Sequence, residues 1–225
     1  MASTRTISGH RTLKSPDLPF DYVVIRRFEK DTEFWNENNV ERLLVLRRNH
    51  ISTRIGSIVL AGYGNVDLGA PGTSLLAIYS ADEIVPTWSL WSLEVKTEDN
   101  AKILTLWFNS CFHLIYLLNH RTEKRGTVMQ WRKNVLMNAP VLNFERLDSE
   151  IRGEMLKFFN DHASDLWDPL IAQYMGPTDL RVNLDALVAK ALGFTENEIL
   201  DRINDIHATI STYLQGLATR MTRDR

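Results

Sequence analysis

The run Ile103–Leu118, ILTLWFNSCFHLIYLL, constrains this chain more than any other segment. A stretch so apolar has to be covered, by lipid or by the rest of the protein. It is shorter than the roughly 20 residues that a bilayer core requires, and Asn109, Ser110 and His113 interrupt it. The expectation is a long buried helix from about Thr97 to Asn119, inside a folded domain with no membrane partner. Thr97-Glu98-Asp99 supplies its N-cap and early acidic charge. With 225 residues, 44% of them hydrophobic, the chain has enough apolar material to enclose that helix without staples. The single cysteine, Cys111, excludes an intrachain disulfide, and the N-terminus MASTRTISGHRTLKS has no apolar run resembling a signal peptide. Both features suit a cytoplasmic protein.

The flanking segments fix the class. Before the helix come short β-branched and aromatic runs: Asp21–Phe28, Glu41–Arg48, Ser57–Ala61, Ser74–Tyr79 and Thr87–Val95. A glycine-rich stretch, Gly62–Gly72, reads as a long hairpin or loop between two of them. One more strand is expected at Gly126–Trp131, then a helical turn at Lys133–Met137. From Asp148 the period becomes helical, with helices over roughly 148–162, 165–174, 178–192 and 195–219. The reading is α+β: an N-terminal mixed or antiparallel sheet with the long buried helix over 1–147, and a helical C-terminal extension over 148–225.

Catalytic motifs are absent. The glycine-rich stretch lacks the Gly-Lys-Ser/Thr ending of a phosphate loop, and Asp67 breaks the GxGxxG spacing. His10, His50, His113, His120, His162 and His207 are scattered, with no HExxH and no paired cysteines. Cys111 and His113 are two apart on a helix and face different ways, whereas His113 and His120 share a face without further ligands. No G-x-S-x-G elbow occurs. The expectation is therefore no catalytic residue, no bound metal and no cofactor of the chain's own.

What remains is charge. Arg121, Lys124, Arg125, Arg132 and Lys133 crowd the stretch after the apolar helix, opposed only by Glu123, although the net charge of the whole chain is −2. Gly126 allows close backbone approach to a partner. Arginine suits phosphates and guanine edges, glutamine suits adenine edges, and lysine acts as a point charge on phosphate. Arg121, Lys124, Arg125 and Lys133 are candidate phosphate contacts; Gln130 and Arg132, with Arg47 and Arg48 from the earlier strand end, are candidate base contacts. A plain alternative is a solvated basic turn behind a helix C-terminus. Trp88, Trp91 and Trp107 read as core, and Asn109 and Ser110 as polar groups that shape the packing of the helix.

The stretch Leu106–Leu147 resembles the C-terminal region of N6-adenine DNA methyltransferases of restriction-modification and phage-defence systems. The likeness runs through Leu106-Trp107-Phe108-Asn109-Ser110, then Arg121, Glu123, Arg125 and Gly126, then Lys133 and Leu136, then Pro140-Val141-Leu142. Arg181, Leu184, Asp185 and Leu192-Gly193 continue it in the helical tail. The family's Asn-Ser-Thr ends in Cys111 here. The Asn-Pro-Pro-Tyr motif that holds the flipped adenine is missing, as is the Phe-x-Gly-x-Gly cofactor loop; Asn138-Ala139-Pro140 does not replace the former. The resemblance thus implies a target-recognition part alone, with double-stranded DNA as partner. The methyltransferase catalytic domain or subunit, with its S-adenosylmethionine, would lie elsewhere. Two other readings stay open: a protein-interaction module docking a methyltransferase subunit without touching DNA, and an enzyme whose residues no motif reveals.

Overall fold

The computed structural model describes residues 10–13, 22–25, 56–61, 66–67, 73–84, 90–123, 128–131 and 133–223. The chain is α+β. It divides into two units, Met1–Thr53 and Arg54–Arg225. In the first, β1 (His10–Leu13) pairs antiparallel with β2 (Tyr22–Ile25). The expected strand at 41–48 lies outside the described residues.

In the second unit β3 (Gly56–Ala61) runs between β5 (Ala77–Ile84) and β6 (Leu90–Leu93), antiparallel to both. Ile58 stands opposite Tyr79 on one side and Leu93 on the other, and its side chain is fully buried. Along β5 the pleat turns Ala77 inward and leaves Ile78 exposed, the alternation of a sheet covered on one face. Inside the glycine-rich stretch, β4 (Val66–Asp67) pairs with β8 (Val128–Gln130), which also pairs with β7 (Thr122–Glu123).

The expected long helix is two helices. α1 (Glu98–Asn109) and α2 (Cys111–Asn119) meet at Ser110 with a bend of 58°. The cause is local hydrogen bonding that competes with the helical ladder. Ser110 is extended (φ −76°, ψ 159°), its hydroxyl donates to the Trp107 carbonyl at 2.7 Å, and it accepts from the His113 amide as the N-cap of α2. Both helices are sunk in the core. Among the described residues no single helix is long and apolar enough to cross a membrane.

The remaining helices are α3 (Lys133–Met137), α4 (Ser149–His162), α5 (Leu170–Met175), α6 (Asp179–Ala191) and α7 (Glu196–Arg223). α5 begins later than its apolar pattern suggests, because Pro169 removes an amide and keeps Asp168 out of helical geometry. α6 ends in a Schellman turn: Gly193 (φ 89°) bonds back to Lys190 and Phe194 to Ala189. These helices do not form a separate extension. Met155 of α4 and Leu184 and Val188 of α6 share one core with Ile58, Ala77 and the buried face of α1. The expected boundary at 147/148 therefore falls inside a continuous core, and the division of the chain lies at 53/54.

Candidate nucleic-acid interface

The cationic stretch begins where α2 stops. Leu114, Leu117 and Leu118 hold α2 in the core, and His120 caps its end. Arg121 then leads into β7, which returns as β8 with Thr122 opposite Gln130 and Glu123 opposite Met129. The connecting residues, with Lys124, Arg125 and Gly126, lie outside the described residues, as do Arg132, Arg47 and Arg48. Lys133 is described as the first residue of α3, without its side chain.

The base of this hairpin is clamped. Trp131 follows β8, is fully buried, and donates its indole N–H to the Leu117 carbonyl at 2.8 Å. The Tyr116 hydroxyl donates to the Val135 carbonyl at 3.0 Å, fastening α3 to α2. Arg121 is half-buried, its guanidinium 5.0 Å from the ring centre of Tyr213 on α7. Gln130 is half-buried. Arg121 and Gln130 thus sit at the root of the hairpin beside Trp131, which the charge pattern alone does not place in the core.

A second constellation lies at the other end of α2, and nothing in the motif pattern assembles it. Arg181 and Asp185, one turn apart on α6, both have 0% exposure. Removing a guanidinium from water is costly unless its donors are met. Here Nη1 donates to the Asn109 carbonyl at 2.6 Å, Nε donates to Gln173 Oε1 at 2.9 Å, and Nη2 donates to the same oxygen. The rings of Trp167 and Tyr174 lie 5.1 and 5.2 Å from the guanidinium. Asp185 Oδ1 accepts from the Cys111 amide at 2.8 Å, with Arg181 Nη1 3.5 Å away; Oδ2 lies 2.7 Å from His207 Nε2 on α7. Asn109 ties the knot to the sheet: its Oδ1 accepts from the amides of Leu76 and Ala77, and its Nδ2 donates to the Ala77 and Thr105 carbonyls.

Donor atoms of Cys111, Asp185 and His207 lie within 4.8 Å of one another, close enough to suggest a metal site. The Asp185 and His207 atoms among them already have protein partners. Both Asp185 oxygens are already engaged and a buried guanidinium stands beside them. Burial, and then the Asp185 charge, push the Cys111 thiol well above its usual range. The arrangement is a charge-compensated bracket that fixes the kink between α1 and α2. The Arg-x-x-Leu-Asp spacing on α6 is the signal for it in the sequence.

His113 and His120 do not form a site either. His113 is buried against Trp107 and Phe108, and burial lowers its pKa to about 4. The ring of Tyr116 lies against both imidazoles, at 6.3 and 4.2 Å. No protein family, curated protein or solved structure matches the chain.

Proposed function

We propose that this chain is a DNA target-recognition domain, associated with an adenine DNA methyltransferase or restriction-modification system and acting on double-stranded DNA in the cytoplasm. The methyltransferase catalytic domain or subunit would bring S-adenosylmethionine and the chemistry. One observation carries the reading: Arg121 and Gln130 stand at the root of a β-hairpin that Trp131 fixes in the core, and the other candidate cations flank that root in sequence. Phosphate contacts set register best from a rigid support, and the pairing of β8 with both β4 and β7 gives the hairpin root one. The second support is that two residues of the methyltransferase resemblance meet in space, Arg181 donating to the Asn109 carbonyl. The test is duplex binding by fluorescence anisotropy across a salt series, comparing the chain with an Arg125→Ala/Lys133→Ala variant.

The protein-interaction reading also has an observation in its favour. Met137 and Val141, just past the hairpin, are large apolar side chains with 71% and 50% exposure. Gel filtration with and without a DNA duplex, and with a candidate methyltransferase subunit, separates the two readings.

A further inference from the structure

Away from the hairpin, a half-open cleft of about 160 Å³ lies between β5, α1, the end of α4 and the segment leading into α5. Its walls are aromatic: Tyr79, Phe158, Phe159 and Trp167. They are held in place from behind. Tyr79 and Phe159 meet edge to face at 5.6 Å, and the bracketed guanidinium of Arg181 stands 5.1 Å from the Trp167 ring centre. At the mouth, His162 Nδ1 lies 2.6 Å from Asp165 Oδ2. Beside them Leu166 is 98% exposed, although leucine gains nothing from water contact. No hairpin residue lines this cleft; Asn109 and Trp167, which hold the bracket, form part of its wall.

Its size suits one aromatic ring, since a cavity of about 150 Å³ lined by apolar side chains takes up benzene. Its charge says what the ring must be attached to. The segment 161–168 carries Asp161, Asp165 and Asp168, all exposed, and no lysine or arginine. Among the described residues no lysine or arginine lines the cleft. Lys102, which lies 5.9 and 5.8 Å from the Tyr79 and Phe159 rings, is paired with Glu98 at 2.8 Å. A nucleobase would bring its phosphate toward Asp165 and the exposed acidic segment that holds Asp161 and Asp168. A phenyl ring flanked by lysines or arginines would meet complementary charge.

We propose that this cleft is the docking site for a phenylalanine or tyrosine side chain carried in a basic segment of a partner protein. The ring fills the aromatic walls, the basic flanks face Asp161, Asp165 and Asp168, and Leu166 closes over the entering chain. The assignment is independent of DNA binding by the hairpin.

The test uses the full chain and fluorescein-labelled peptides followed by anisotropy: Ac-KKFKK-amide, its alanine counterpart Ac-KKAKK-amide, and the acidic Ac-EEFEE-amide. The phenylalanine peptide should bind about tenfold or more tightly than the alanine peptide, the gain of burying one phenyl ring. Ala163→Trp, a substitution at an exposed position lining the cleft, should abolish that preference while leaving the circular dichroism spectrum and duplex DNA binding unchanged. Asp165→Lys/Asp168→Lys should weaken the basic peptide several-fold and favour the acidic one. Equal binding of the phenylalanine and alanine peptides would overturn the proposal. So would no binding of the phenylalanine peptide up to about 1 mM. Binding of an unlabelled thymidine oligomer that Ala163→Trp removes would also overturn it, in favour of a nucleobase.

Discussion

The backbone amide of Cys111 donates to the carboxylate of Asp185 at 2.8 Å, across 74 residues of sequence. Cys111 is the first residue of α2, so its amide is among those that no helical carbonyl can satisfy. Asp185 thus acts at once as anion at a helix N-terminus, counterion of Arg181 and acceptor for His207. This carboxylate joins the α2 N-terminus, next to the kink at Ser110, to α6 and α7.

Arg181→Leu should cost about 3–5 kcal/mol, because it leaves the Asp185 charge buried without its cation. Arg181→Leu/Asp185→Leu should cost clearly less than the sum of its two single variants. Urea unfolding of the four proteins measures both effects. Additive losses would mean that the two groups act separately.

Cys111 should resist thiol reagents in the folded protein and react fully in urea. Its side chain is buried and its thiol held protonated by burial and by Asp185. Ellman's reagent at neutral pH reads this directly; quick labelling of the native chain would mean that the bracket opens.

His113 makes the fold acid-sensitive. Its pKa of about 4 in the fold lies below the ordinary histidine value of 6.5, so between those values the unfolded chain binds a proton that the folded chain refuses. The stability it allows is complete above pH 6.5 and falls as the pH drops toward 4, by about 3 kcal/mol in total. Below that both states are protonated and this contribution is flat. His113→Phe should remove the slope in urea midpoints measured between those pH values; an unchanged slope would assign the sensitivity to other groups.

Gly193→Ala should destabilise by about 1 kcal/mol. A Cβ there would meet nothing within 4 Å among the described residues, so the loss comes from the backbone alone, at φ 89°. Thermal unfolding measures it, and Gly193→Asn should lose less, since asparagine tolerates the left-handed region better.

On DNA, affinity should fall steeply with salt. The Arg125→Ala/Lys133→Ala variant should bind more weakly, with a salt slope shallower by about one unit for each phosphate it no longer neutralises. Trp131→Phe keeps an aromatic ring but removes the indole donor from the Leu117 carbonyl, which then has only the His120 amide; it should cost about 1–3 kcal/mol of stability. If the hairpin root matters, this variant should also weaken DNA binding without changing the salt slope. A double variant that binds as the parent at every salt concentration would sink the assignment of the basic run.

Most elements were legible from period and punctuation. The strands at 57–61 and 74–79 and the cap at Thr97 follow from side-chain alternation and N-cap chemistry. These are local properties, settled within a turn or two of the chain. The polar break inside Ile103–Leu118 was visible too, in Asn109 and Ser110, but not that it bends the helix by 58°.

That bend, and the shared core that removes the boundary at 147/148, belong to the tertiary structure. A serine within an apolar run is compatible with a straight helix. Whether it breaks depends on what waits at the exposed amides, and here that is a carboxylate on α6. Residue order alone dictates the α+β class, the need to bury one apolar run, and a basic stretch directly after it. Folding is what brings Arg181, Asp185 and His207 together on Cys111, because a buried charge is tolerated only where distant segments supply its partners.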